Sequence, residues 1–234
     1  RVSAAYCLPK FTFLMFIVVS CALAFSTGNL WIKSHSFHVQ PDVHFTYETL
    51  VVFESTVPGE EKVWSSLDSV AGILQETEKL APVDIQAAEQ DLNMDGKVDL
   101  IDIKIKTPTT PVHSVKLLLG FQYEIKARVD LKMRSMAYVH YSSPAPGSSL
   151  HVDGELRLQQ LEPLTASTSN KDYEGTAGSP FTLISTSVED PQDLAMGANK
   201  LAHLKLSGMM NQYLFRNEST YYDYKFPIWQ PGSR

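Results

Sequence analysis

Oxygen-bearing side chains at alternate positions of a short loop can close around Ca2+, and one stretch of this 234-residue sequence has that spacing. In Asp91-Leu92-Asn93-Met94-Asp95-Gly96-Lys97-Val98-Asp99, followed by Asp102, the oxygens fall at loop positions 1, 3, 5, 9 and 12. Gly96 stands at position 6, where the chain must bend sharply, and Asp102 stands where a bidentate Glu is usual. Asp91, Asn93, Asp95, Lys97, Asp99 and Asp102 therefore form a candidate Ca2+ loop, and Ca2+ is the one cofactor the residues point to. An extended run follows, so this is the loop of a β protein and not an EF-hand. The alternative is an Asp/Asn/Gly turn whose side chains bond their own backbone.

A second motif is the N-glycosylation acceptor Asn217-Glu218-Ser219, set among polar neighbours. His35, His38 and His44 cluster in sequence, but their spacing suits neither helical nor strand ligation of a metal and reads as solvated side chains. No His-Glu-x-x-His, Gly-x-Ser-x-Gly or phosphate-cradling glycine loop occurs. Both cysteines, Cys7 and Cys21, lie in or beside an apolar N-terminal segment, so the rest of the chain holds neither a thiol nucleophile nor a disulfide. Cys7 could accept a palmitoyl chain or be a thiol without a role. The chain reads as a non-enzyme.

That apolar segment runs from Phe11 to Ile32 without an ionisable side chain. As a helix of about 33 Å it is long enough for a bilayer core of about 30 Å. Lys10 on one side, and Trp31 with Lys33 on the other, fall where interfacial groups belong. A signal peptide competes with this reading, because the densest part, Phe11 to Phe25, is short and Ala22-Leu23-Ala24 resembles a cleavage site. Apolar character resumes at Leu30-Trp31-Ile32, which favours a retained anchor. Residues 1–10 carry Arg1 and Lys10 and no acid, so the positive-inside tendency makes them a cytosolic stub. The expected organisation is a stub at 1–10, a transmembrane helix at 11–32 and an extracellular or lumenal domain at 33–234.

With Arg1, Lys10 and Lys33 set aside, 17 cations face 26 acids beyond the anchor, a balance of −9. A domain of that sign, without a basic aromatic stripe, is no partner for nucleic acid.

The elements that carry these motifs are mostly extended. Val43, Phe45, Tyr47, Val51 and Phe53 occupy odd positions, predicting a half-buried strand over 42–53. Leu67, Val70, Ile73 and Leu74 suit a short helix within 66–80. Ile101, Ile103 and Ile105 alternate with charged residues, and a long alternation runs from Val115 to Ile125 and from Val129 to Tyr138. Pro144-Ala145-Pro146-Gly147 should end these strands, and Asp153-Gly154 should turn a hairpin between 150–152 and 156–158. Thr165–Pro180 reads as a loop, Phe181–Val188 as a strand, and Asp193–Phe215 as helix or loop. The fold class is mainly β, an antiparallel sandwich-like ectodomain with one or two short helices behind one transmembrane helix.

In their order, these parts resemble the transmembrane protein 231 family of the ciliary transition zone. The resemblance rests on Leu30-Trp31-Ile32-Lys33, Gln40-Pro41-Asp42-Val43-His44-Phe45 and the loop Asn93–Asp99. It continues in Met133-Arg134-Ser135-Met136-Ala137-Tyr138, Pro144–Leu150, Val152–Gln160 and Pro163-Leu164, then Arg216-Asn217-Glu218-Ser219-Thr220 and Pro227-Ile228-Trp229. It covers roughly 28–50, 91–164 and 213–231, with 165–210 poorly matched. The resemblance implies two membrane spans with a large extracellular β domain between them. It also implies membership of a complex of tectonic, Meckel-syndrome and B9-domain proteins at the ciliary base, which gates membrane proteins into the cilium and supports ciliogenesis and Hedgehog signalling. A second span is expected soon after Trp229, so the chain reads as a fragment, with a single-span form as the alternative. The expected function is a membrane scaffold. The competing one is a tethered or secreted β-domain binding module for a lipid, glycan or protein.

Overall fold

The structure is a computed structural model that describes residues 4–26, 39–55, 57, 59–76, 78–108, 112–127, 129–164, 169–173, 179–181, 210 and 213–232. It divides into an N-terminal unit, Arg1–Val39, and a larger unit, Gln40–Arg234.

Helix α1 (Ala4–Ser26) is the N-terminal unit's one described element. Its 23 residues extend about 34 Å, and its Leu8–Ser26 part is long and apolar enough to cross a membrane. The helix begins earlier than the expected span, taking in Pro9 and Lys10, and its described part ends where the Ser26-Thr27-Gly28-Asn29 interruption begins. Hydroxyls of Thr12, Ser20 and Ser26 donate to the carbonyls of Pro9, Phe16 and Leu23 at 2.9, 2.8 and 3.0 Å, so these three hydroxyls are satisfied within the helix. Cys21 is an exposed free thiol there. Trp31, Lys33, His35 and His38 lie outside the described residues.

The larger unit is built from β1 (Asp42–Glu54), β2 (Lys62–Ser65), α2 (Asp68–Glu76), β3 (Asp84–Gln90), β4 (Leu100–Lys106), β5 (Val112–Lys126) and β6 (Asp130–His151). It continues with β7 (Gly154–Gln160), β8 (Ser169–Tyr173), β9 (Glu218–Tyr224) and β10 (Ile228–Pro231). The main sheet has the order β10-β6-β5-β1-β2, with β8 pairing parallel to the start of β6 along the edge that β10 uses at its end. β3 pairs with β4, and β7 with β9, as two separate two-stranded sheets.

Both faces of the main sheet are covered. On one, Phe45, Leu119, Phe121 and Ala137 pack with Ile85, Ala87, Ile101, Ile103 and Ile105 of the β3–β4 pair and with Leu156 and Tyr222 of the β7–β9 pair. On the other, Leu50, Leu118 and Met136 pack with Val70 and Leu74 of α2, Phe181 and Tyr213. Leu118, Leu131 and Met133 are buried almost completely, each worth roughly 1.5–3 kcal/mol of apolar transfer. The sandwich thus has one long sheet faced by two short ones rather than two equal sheets.

The β1 alternation fails at Tyr47. A bulge between Phe45 and Thr49 gives Tyr47 a φ of 61° and turns its ring out to solvent. Gly120 of β5 makes room for the bulge, since a Cβ there would lie 2.8 Å from Thr46 Oγ1 and 2.9 Å from Glu48 Cβ.

Four further expectations need correction. Pro144-Ala145-Pro146-Gly147 does not end β6, because residues 143 to 146 bulge opposite His113, where no ladder N–H is required. Asp153-Gly154 does not turn a hairpin: β7 leaves β6 and pairs with β9 instead. Gly154 lacks a positive φ; it is needed because a Cβ would lie 2.5 Å from the Asp223 carbonyl. The Thr165–Pro180 loop contains β8. Phe181 sits in a turn and is fully buried, whereas residues 182–188, like 193–209, lie outside the described residues.

The Trp229 indole lies against Gly147, donates to the Ala145 carbonyl at 3.1 Å and packs at a tilt on Tyr141, with ring centroids 5.3 Å apart. A Cβ at Gly147 would fall 2.1 Å from the ring. The substitution G147A should therefore destabilise the domain by about 1–3 kcal/mol and shift Trp229 emission to the red, as read by denaturant titration followed in fluorescence. An unchanged midpoint would show that the indole can move aside freely.

Candidate functional site

The Asp91–Asp99 loop connects β3 to β4, so a paired hairpin carries it. Met94 and Gly96 take φ of 60° and 84°, which folds the loop tightly. Its oxygens turn to its own N–H groups. Asp91 accepts from Asp95 N at 3.3 Å and Gly96 N at 2.8 Å, Asn93 Oδ1 from Asp95 N at 2.9 Å, and Asp95 Oδ1 from Lys97 N at 2.9 Å. Asp99 Oδ2 accepts from Leu92 N and Asn93 N, and its Oδ1 accepts from Gln40 Nε2 at 2.7 Å. That Gln40 bond, with the Leu92 N–H next, holds the Asp99 carboxyl below its ordinary range. Lys97 Nζ donates to the Gln40 carbonyl at 2.9 Å, which ties the loop to the entry of β1.

Asp102, expected at the twelfth loop position, lies on β4 with its carboxylate 3.0 Å from Lys104 Nζ. Among the described residues no three acid, His or Cys side chains are grouped as a metal site requires. The arrangement is that of a hydrogen-bonded Asx turn, with Leu92 and Met94 exposed on it.

His44 lies on β1 beside this loop's base. Its ring nitrogens are 3.0 Å from Glu89 and 3.2 Å from Asp42, and Glu89 also accepts the Phe45 N–H at 2.7 Å. The Glu89 hydrogen bond raises the His44 pKa against a smaller opposing effect of burial. This is an ion-pairing environment for the imidazole, consistent with a side chain that links β1 to β3.

The second site is the Arg216–Thr220 segment, where sequence reasoning recognised an acceptor motif and missed a buried node. The Tyr213 hydroxyl accepts from Met136 N at 3.1 Å and Thr220 N at 2.7 Å, and it lies 2.7 Å from Thr220 Oγ1. Thr220 Oγ1 in turn donates to the Met136 carbonyl at 3.1 Å. With two N–H groups on its lone pairs, the phenol donates its one proton to Thr220, and every valence is used. Burial pushes the Tyr213 phenol up, so that proton stays in place. Arg216 lies over the rings of Tyr173 and Tyr213, 4.7 and 5.2 Å from their centroids. No periodicity could have revealed this node, since its members come from a helical turn, β6 and β9.

Asn217 is exposed and its carbonyl accepts from Leu161 N at 2.8 Å, while Glu218 and Ser219 behind it are buried. Lys10, the one interfacial residue within the described part, lies in α1.

Comparison with known proteins gives a consistent picture. The family model described as Transmembrane protein 231 matches residues 1–233. The Xenopus tropicalis protein of that name is 31% identical over 216 residues, which is 90% of this chain and 62% of the relative. The Rattus norvegicus protein is 31% identical over 215 residues, again 90% and 62%, and the Homo sapiens protein 34% identical over 166 residues, 64% and 51%. The chain thus spans about 62% of the length of the frog and rat relatives. No solved structure matches it.

Two measurements check the site. Y213F would leave two buried backbone N–H groups without an acceptor, at about 1–3 kcal/mol each, so its denaturation midpoint should fall well below wild type. A loop held by its own hydrogen bonds should melt at the same temperature in Ca2+ and in EGTA; a rise of several degrees with Ca2+ would show instead that Asp91, Asn93, Asp95 and Asp99 close around an ion.

Proposed function

Because the chain belongs to the transmembrane protein 231 family, we infer that it is a non-enzymatic membrane scaffold of the ciliary transition zone, contributing to the barrier that controls ciliary membrane composition. In that role it supports ciliogenesis and Hedgehog signalling and assembles with tectonic, Meckel-syndrome and B9-domain proteins. The observation that carries the reading is the family match over nearly the whole chain, together with 31% identity extending across 90% of it.

The physical features agree with assembly rather than turnover. Helix α1 supplies an apolar span, and the cations Arg1 and Lys10 favour a cytosolic N-terminus, which supports an exported domain. That domain holds its long strands on both faces and presents outward strands of mixed charge. Arg157 of β7 pairs with Glu155 and, at 2.9 Å, with Asp223 of β9, and Lys116 of β5 pairs with Glu54 of β1. These pairs fix the strands against one another and leave a rigid domain of the kind an assembly needs.

Proximity labelling from the tagged full-length protein in ciliated cells should enrich tectonic, Meckel-syndrome and B9-domain proteins at the ciliary base. Labelling dominated by secretory-pathway residents in cells with intact cilia would overturn the scaffold reading.

A further inference from the structure

The acceptor motif at the entry of β9 is the chain's single Asn-x-Ser/Thr sequence, and its three residues differ sharply in exposure. Asn217 faces solvent, whereas Glu218 is 6% and Ser219 1% exposed. Glu218 and Ser219 are paired in register with Gln160 and Gln159 of β7, and the next residue, Thr220, is locked by the Tyr213 node. A glycosyltransferase that recognises this motif must reach both the Asn amide and the hydroxyl two residues on. In the folded domain the amide is within reach and the hydroxyl is not.

We propose that Asn217 carries an N-linked glycan installed before β9 docks on β7, and that the folded domain retains this glycan but can no longer acquire it. The inference rests on the exported placement of the domain. The co-reactant is an oligosaccharide linked to a polyprenyl pyrophosphate. The Asn217 Nδ2 attacks the anomeric carbon of its first sugar, the bond from that carbon to the pyrophosphate oxygen breaks, and the N–C bond forms. The lipid pyrophosphate leaves and the surplus amide proton passes to a base of the transferase, with no change of oxidation state.

The surroundings give the glycan something to cover. Leu161, whose N–H bonds the Asn217 carbonyl, is 56% exposed, and Leu214 and Phe215, just upstream, are 38% and 81% exposed. These apolar groups flank the attachment point, which is therefore less polar in space than its sequence neighbours suggest, and the Phe215 ring offers a face on which a sugar can lay its C–H groups. The order of events also follows from topology. The partner of β9 is made early, but β9 itself emerges 58 residues after its paired position in β7, at Gln160 and Glu218, so the acceptor is extended and free until that long closure completes.

The test is translation of the full chain into microsomes. With the oligosaccharide donor present throughout, the wild type should gain one PNGase F-sensitive shift, lost in N217Q. In donor-depleted microsomes supplied with donor only after synthesis and folding, the wild type should stay unmodified. G154V, whose side chain would collide with the Asp223 carbonyl and keep β9 from docking, should then be modified even if it never folds. D95T turns Asn93-Met94-Asp95, in the exposed loop, into a second acceptor and reports the side of the membrane. A shift in D95T with none at Asn217 overturns the proposal and leaves the exported placement standing. Modification of wild-type Asn217 by late donor overturns the order of events. No shift at either position overturns the placement and the proposal together.

Discussion

The ladder between β5 and β6 is the constraint on which the domain depends. It runs antiparallel from Lys126↔Asp130 to Ser114↔Ser142, and every other layer of the unit is laid against it. Isolated paired strands are marginal in water, so this pair persists because apolar groups cover both of its faces. Leu119, Phe121 and Ala137 meet the two short sheets on one side, and Leu118 and Met136 meet α2, Phe181 and Tyr213 on the other. With both cysteines confined to α1, no disulfide shares the task, and the stability of the domain is that of its core.

Glycines and prolines that look like turn signals serve close packing here. Gly120 admits the β1 bulge, Gly147 admits the Trp229 indole, and Gly154 admits the Asp223 carbonyl. In each case the missing Cβ is read by a distant segment. That explains how the Pro144–Leu150 and Pro227–Trp229 segments, far apart in the chain, are one structural unit: the indole of one rests on the glycine of the other. The same logic joins Met133–Tyr138 to Arg216–Thr220, because the Met136 amide and carbonyl are both satisfied by groups of the later segment. The residues that carry the family resemblance are thus paired in space as well as ordered in sequence.

Much of this was legible in the residues. The uncharged apolar run at the N-terminus specifies a helix of membrane length, since nothing else satisfies its backbone in lipid. The alternation around Ile101–Ile105 and Val115–Ile125 specifies strands, and Leu67, Val70 and Leu74 specify α2, because these patterns depend only on the local period of the backbone. The Asx loop was legible as a tight oxygen-rich turn for the same local reason.

Which strands pair was not. Asp153-Gly154 has every local property of a hairpin, yet β7 crosses to β9, because Leu156, Leu158 and Tyr222 find apolar cover on the main sheet that a β6–β7 hairpin would not supply. The inward or outward choice at Tyr47 was decided by a bulge facing Gly120, and the satisfaction of the Tyr213 hydroxyl by three segments distant in sequence. Period and composition act over a few residues, so the sequence by itself determined the helix, the strands and the loop. Burial and hydrogen-bond satisfaction act between residues that only folding brings together, so the tertiary structure alone decided the pairing, the bulge and the buried half of the acceptor motif.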